Sequence, residues 1–345
     1  MFRALVCLLF AVAAPAQTFR EYSILTSSAV PEAITLGPDG NVWFLEKNAN
    51  KIGRITPSGT IAEFTIPTAK AQPFGGIVSG PDGALWFTED EANKIGRISI
   101  FGTITEFTIP TANSFPSGIV KGPDGNLWFT EYTGNKIGKL TPPGVFTEFP
   151  IPTSAGGLVG ITVGPDNFLW FTEYDAAKVG RLTLGGSITE FPLPDSKSGP
   201  NQITTGPDGN LWFTEDSGSK IGRITTSGGL TEFPVPTALA LRDIVSGPDG
   251  NLYYTKPIDA KIGRITTSGD VTEFDTPSQS AFPTFLTVGA DGNIWFSEGS
   301  TTVNKIAVLV LRDQRRRRAV RSAMGSGLSF VLFSHPRRKR YEGKA

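Results

Sequence analysis

Six glutamates, Glu46, Glu89, Glu131, Glu173, Glu215 and Glu298, recur at one place in successive copies of a repeated segment, each shortly after a Trp-Phe pair. Carboxylates set around a common axis are hard oxygen ligands suited to Mg²⁺ or Ca²⁺. The same glutamates would equally serve as hydrogen-bond acceptors for the neighbouring copy, a need that every copy shares. The remaining copy has Lys256 at this place. Fourteen residues before it the copies read Glu32, Gly75, Ser117, Val159, Asn201, Arg242 and Thr284. A position that varies inside so regular a pattern has no common structural duty, and its side chains are expected at the mouth of a central channel. The sixth copy diverges most, combining Arg242-Asp243, Tyr253-Tyr254 and Lys256. Arg242 and Lys256, flanked by Glu215 and Glu298 and joined by Asn201 and Thr284, are expected to form a mixed-charge pocket for a ligand bearing a carboxylate or carbonyl. The competing reading is a salt bridge between copies. Glu32 and Glu215 are the candidate proton acceptors.

The elements that must position these groups follow from the repeat. Gly-Pro-Asp-Gly or a close variant begins at Gly37, Gly80, Gly122, Gly164, Gly206, Gly247 and Gly289, at intervals of 43, 42, 42, 42, 41 and 42 residues. An aromatic pair follows each, then Lys-Ile-Gly-Arg-Ile-Thr, then Ile-Thr-Glu-Phe-x-Ile-Pro-Thr, with small variations. Each unit holds four short β-rich runs separated by turn residues; in the second copy these are 76–79, 84–88, 94–99 and 103–109. No stretch keeps a helical period. Four antiparallel strands every forty-odd residues describe a β-propeller blade. The fold class is therefore all-β, a seven-bladed β-propeller of four-stranded blades. The last copy lacks a Glu-Phe strand, and Thr18-Phe19-Arg20-Glu21-Tyr22 supplies one from the N-terminus, closing the ring and removing an open edge. The aromatic pairs are expected to pack between blades. The Lys-Ile-Gly-Arg segments read as blade architecture, and being spread around the ring they make no basic patch for nucleic acid.

Composition agrees. Glycine and proline number 40 and 26 in 345 residues, well above the ordinary combined share of about 12%, as a turn-rich β chain requires. The formal charge of zero conceals two pieces: of 32 basic and 32 acidic residues, 11 basic and 2 acidic lie in 311–345. An acidic propeller over residues 17–310 thus precedes a basic tail over 311–345 that is expected to be disordered. Residues 1–16 read as a signal peptide, with a short basic start, an apolar run and the small-x-small site Ala14-Pro15-Ala16. That run is shorter than the roughly 20 residues a membrane helix needs. The expected location is secreted or periplasmic. The one cysteine, Cys7, falls in the removed segment, so the mature chain has neither disulfide nor thiol chemistry.

Repeats such as Gly206-Pro-Asp-Gly-Asn-Leu-Trp-Phe-Thr-Glu215, followed by Lys220-Ile-Gly-Arg-Ile-Thr225 and Leu230-Thr-Glu-Phe-Pro-Val-Pro236, resemble those of the virginiamycin B lyase (streptogramin B lyase) family over about residues 18–310. The resemblance implies a seven-bladed propeller and an antibiotic-resistance activity: a carbon–oxygen lyase linearising a cyclic depsipeptide such as virginiamycin B, with magnesium and without water. Such chemistry needs a base beside a carbonyl and an electrophile for the developing charge. In that family two histidines, an acid and a blade glutamate do this work. Their places here hold Arg242, Thr284, Phe282 and Glu298, so Glu298 alone matches, and it is the implied metal residue. The only histidine is His335, in the tail.

Together these readings describe an exported monomeric propeller that binds a small molecule, glycan or peptide at its axial mouth. The alternatives are a magnesium-assisted lyase and a protein-interaction scaffold. No nucleic-acid partner is expected for the propeller. Terminal sequencing of the exported protein is expected to begin at Gln17; retention of residues 1–16 would remove the signal-peptide reading.

Overall fold

The computed structural model describes residues 18–142, 144–236 and 240–311. Residues 1–16, expected to be a signal peptide, and nearly all of the basic tail lie outside the described residues. Among the described residues twenty-eight strands, numbered in chain order, form seven four-stranded antiparallel sheets. The first complete blade contains β2 (Pro31–Leu36), β3 (Val42–Glu46), β4 (Lys51–Ile55) and β5 (Ile61–Thr65), in that spatial order. The pattern repeats through β6 (Pro73–Ser79), β10 (Pro116–Lys121), β14 (Leu158–Val163), β18 (Pro200–Thr205), β22 (Ile244–Ser246) and β26 (Pro283–Val288), the first strands of the later blades. Each of these inner strands borders those of the adjacent blades, so together they line the axis. The last sheet runs β1 (Thr18–Ser23), β28 (Lys305–Val310), β27 (Ile294–Glu298), β26, with Thr18 opposite Val310 and Tyr22 opposite Ile306. The N-terminal strand closes the ring as its sequence predicted.

The motifs explain themselves in this frame. The Gly37 N–H donates to the Asn41 carbonyl across the first hairpin, and Gly40 adopts the positive φ of 76° that the turn demands. Asp39 in that turn accepts a bond from the Trp43 indole nitrogen at 3.0 Å, and equivalent bonds hold the other five tryptophans. Tyr253 keeps the arrangement in blade six, its hydroxyl donating to Asp249 at 2.9 Å. Each indole stacks on the aromatic ring of its own outer strand, as Trp128 does on Phe149 at 5.4 Å. Trp128 also joins Leu169, Phe171 and Leu182 of the following blade in one buried cluster. The aromatic pairs therefore do weld neighbouring blades. Gly138 of the Lys-Ile-Gly-Lys segment faces Phe129 so closely that a Cβ would meet the ring at 2.1 Å.

The strand limits of the second copy differ from expectation by three residues at the start of the first strand and by one residue at five other ends. In the second copy the first strand starts at Pro73 and the second runs to Glu89, because these residues pair across an intervening bulge. Strands two to four of that blade are Leu85–Glu89, Lys94–Ile98 and Ile104–Thr108.

The strand-end glutamates do not make the ties between blades. That duty falls to the glutamates of the outer strands. Glu106 accepts the Thr68 N–H at 3.0 Å and the Thr68 hydroxyl at 2.9 Å, and it pairs with Lys94 at 3.2 Å. Glu148 takes Thr111 and Lys136 in the same way, and Glu63 takes Thr26 and Lys51. The strand-end glutamates are fully buried, and no hydrogen-bond donor reaches either oxygen in bonding geometry. Burial, with the charge of Glu148 close by, pushes Glu131 up to about 8, against the opposing pull of Lys136 and the Ser114 hydroxyl. Glu46 and Glu89 likewise reach about 8 beside Glu63 and Glu106. In blades one to four the buried carboxyl is thus pushed up while the donors around the outer one hold its pKa down.

The sign of the pH dependence follows. Between the unfolded value of 4.5 and the native value of about 8, folded Glu131 keeps a proton that the unfolded chain has released, so stability falls as pH rises through this window. Glu131→Gln is expected to raise the melting temperature at pH 9 relative to the parent while changing it little near pH 4. Equal differences at the two pH values would contradict a protonated Glu131.

Candidate functional site

A β-bulge interrupts the inner strand of most blades, and several of the side chains at the bulges line a cavity at the axis. In blade three the register shifts between Pro116 and Ile119, leaving Ser117 and Gly118 unpaired. The threonine of the following strand fixes this backbone. The Thr130 hydroxyl accepts the Gly118 N–H at 2.8 Å and donates to the Val159 carbonyl of the next blade at 2.8 Å. Thr214 grips the Arg242 carbonyl at 2.8 Å in the same manner. With the main chain held by buried hydroxyls, the side chains at these positions are free to differ.

They converge on a cavity of about 260 Å³ at the mouth of the channel. Ser117, Val159, Asn201 and Arg242, all from the position fourteen residues before the strand end, line it together with Gly75. Blade two contributes an extra feature. Its bulge holds three residues, Phe74, Gly75 and Gly76, where its neighbours hold two, which accounts for the 43-residue interval. Gly75 sits at φ 82°, and a Cβ there would come within 2.8 Å of the Ser117 carbonyl oxygen. The insertion places Phe74 at the mouth, edge-on to Phe285 with ring centres 6.3 Å apart. The Arg242 guanidinium lies over the Phe74 ring at 5.5 Å, and the Lys47 ammonium lies over it at 4.4 Å.

A different chemistry occupies the wall formed by blades three to five. The Tyr132 hydroxyl donates to Asp175 at 3.0 Å, and the Tyr174 hydroxyl donates to Asp216 at 2.9 Å, each bond crossing to the next blade. Asn201 and Gln202 stand beside them. Tyr132, Tyr174 and Asp216 come from the residue just after the strand-end acid, a position that reads Lys47, Asp90, Tyr132, Tyr174, Asp216, Pro257 and Gly299 around the ring. That variability was visible beside the constant acid, as was the long interval before Phe74.

The expected grouping of Arg242 with Lys256, Glu215 and Glu298 is corrected by the structure. Arg242 and Asn201 line the mouth, but Lys256 is fully buried within its blade, bonded to Glu273 at 2.6 Å, Asp259 at 2.9 Å and the Pro236 carbonyl at 3.1 Å. Strand β23 (Leu252–Lys256) ends where the other blades carry the buried glutamate, and Lys256 converts that acid pair into an ion pair. Glu215 is buried in the ordinary way and pushed to about 7 by burial and by Glu232, away from the mouth. Thr284 is 1% exposed, its hydroxyl engaged with Ser297 at 2.8 Å. Glu32 lies near the site. Its carboxyl, 6% exposed, is raised to about 7 by burial, against the opposing charges of Arg242 and Lys47.

Magnesium does not fit the residues present at Glu298. That carboxyl is fully buried, pushed to about 8 by burial and Glu21, and its other charged neighbour is the Lys305 ammonium. No group of three or more His, Cys, Asp or Glu side chains among the described residues is placed to hold a metal ion. Hard cations need several oxygens converging on one point. The described residues contain no histidine, His335 lying outside them.

The two cations should differ sharply on substitution. Lys256→Ala strips a buried partner from Glu273 and Asp259 and is expected to cost about 3–5 kcal/mol, lowering the melting temperature markedly. Arg242→Ala, at the mouth and outside any ion pair of the described residues, is expected to change stability by less than about 1 kcal/mol. Chemical denaturation of both variants checks this ordering.

Comparison with known proteins agrees with the fold. A streptogramin B lyase structure is 39% identical, covering 86% of this chain and 98% of its own, with a TM-score of 0.82. Virginiamycin B lyase from Staphylococcus aureus is 40% identical, covering 86% and 99% with a TM-score of 0.81, and a catalytically inactive form of it with quinupristin gives the same values. Residues 10–241 and 195–314 match the virginiamycin B lyase family, and the chain belongs to that family.

Proposed function

We propose that this chain is a binding member of its family, acting after export and holding a small molecule, glycan or peptide at the axial mouth. The observation that carries this reading is the mouth itself. A cavity of about 260 Å³ is built from the side chains that break the sevenfold repeat, with an apolar floor at Phe74 and Phe285 and hydrogen-bonding groups on Tyr132, Tyr174, Asn201 and Gln202. Side chains released from the common architecture and gathered at one opening are the ordinary makings of a ligand site. The histidines of the lyases are replaced here by Arg242 and Thr284, which removes the imidazole base.

A second reading, elimination, is favoured by Glu32. A carboxyl raised to about 7 is poised to accept a proton near neutral pH, and Arg242 beside it would hold negative charge developing on a carbonyl oxygen. In that reading Glu32 takes the proton from the carbon adjacent to the carbonyl, that electron pair forms a carbon–carbon double bond, and the carbon–oxygen bond at the next carbon breaks to release the ester's acyl part as a carboxylate, with no water consumed.

Quinupristin, the compound found with the Staphylococcus aureus relative, is the probe for both. Binding without chemistry is expected to raise the melting temperature of the parent and leave the ring intact by mass spectrometry. Ser117→Trp, which fills the mouth, is expected to abolish the rise. Ring opening that disappears in Glu32→Gln would favour the second reading. Ligand-induced stabilisation equal in the parent and in Ser117→Trp would sink the axial site.

A further inference from the structure

We infer that the mouth recognises an oxyanion, a carboxylate or phosphate group on a small organic molecule, held between Lys47 and Arg242 over the ring of Phe74; this rests on the axial binding reading above. Two cations sharing one ring is an unusual arrangement. With their charges 4.4 Å and 5.5 Å from the same ring centre, Lys47 and Arg242 are near enough to repel each other. The aromatic face offsets part of that cost, since its quadrupole attracts both. It does not satisfy their hydrogen-bond donors. Neither side chain is within 4.0 Å of a carboxylate oxygen of the described residues, and neither donates a hydrogen bond among them, whereas Lys51, Lys94, Lys136, Lys178, Lys220, Lys256, Lys261 and Lys305 are all paired.

The acids that face the two cations are few. Glu32 and Asp90 lie near Lys47, and Glu32 and Asp243 near Arg242. Asp243 is turned inward, accepting the Ile244 N–H at 2.8 Å and the Leu286 N–H at 2.7 Å. Glu32 is buried, and neither it nor Asp90 reaches salt-bridge distance of either cation. A guanidinium with free donors in a concave, partly dry site is complementary to two oxygens of one anion, and the ammonium supplies a second charge from the rim. The rest of the ligand would lie across Phe285 and Val159 toward the tyrosine wall. The surrounding ring is acidic, so this local reversal of sign belongs to the mouth and not to the general surface field.

Fluorine NMR of the full chain with 4-fluorobenzoate, 4-fluorophenyl phosphate and the neutral 4-fluorobenzamide tests the inference. The parent is expected to bind at least one of the two anions about tenfold more tightly than the amide. Which anion binds better separates a carboxylate from a phosphate ligand. Lys47→Gln and Arg242→Gln are each expected to weaken the preferred anion by about tenfold while leaving the amide unchanged. Thermal melts of both variants confirm folding. Equal affinity for amide and anions, abolished by Ser117→Trp, would overturn the oxyanion class and leave axial binding standing. Anion binding that survives in the Lys47→Gln, Arg242→Gln double variant would overturn the assignment of residues. Absence of binding by all three probes would overturn the inference outright, with the quinupristin shift deciding separately whether the mouth binds anything.

Discussion

Six of the seven blades are welded to the next by an indole whose carbon surface is buried among the following blade's apolar side chains, while its N–H is kept by the aspartate of its own hairpin turn, and Tyr253 with Asp249 does the same in blade six. The large apolar area drives association, and the hydrogen bond prevents a buried donor from going unsatisfied. Because both partners come from the same short motif, repeating the motif repeats the joint. Seven joints must then close, and the pairing of the N-terminal strand with the last blade removes the edge that an open arc would expose. Tyr22, stacked on Trp295 at 5.9 Å, does for that junction what the outer-strand phenylalanines do elsewhere.

A ring held together in this way leaves its axis free. The threonine that bridges from one inner strand to the next fixes main-chain atoms only, so most side chains above the bulges carry no share of the joint, Thr284 with its bond to the Pro31 carbonyl being an exception. Chemical difference is therefore inexpensive at the mouth and costly between blades. The two blades that depart from the forty-two-residue interval, two and six, contribute the Phe74 ring and the Arg242 guanidinium that meet across it. Insertion and divergence were accommodated where the architecture asked nothing of the side chain.

Blade six shows the same logic at a buried site. Five other complete blades and the closing blade place a glutamate at the end of the second strand, next to an outer glutamate already paired with lysine. Burial and that outer charge push its pKa up to about 7 or 8, favouring the protonated form. Lys256 resolves the conflict differently, by meeting Glu273 directly. Its charge change compensates for a neighbour, and it looked functional in the sequence because a departure from a repeat reads alike whether it serves a ligand or the interior.

The amino-acid sequence by itself determined the number of blades, their four-stranded make-up, the closing strand and the family, since all of these are properties of a period and of motifs that recur along one dimension. It also marked Arg242 and Asn201 as variable positions facing the axis. It did not reveal that Lys256 turns inward, that outer glutamates rather than strand-end ones tie the blades, or that Lys47 and Arg242, far apart in the chain, share the ring of Phe74. Those facts depend on which side of a strand a residue faces and on which blades lie opposite across the channel. Only closure of the ring brings such positions together, because the mouth belongs to no single repeat.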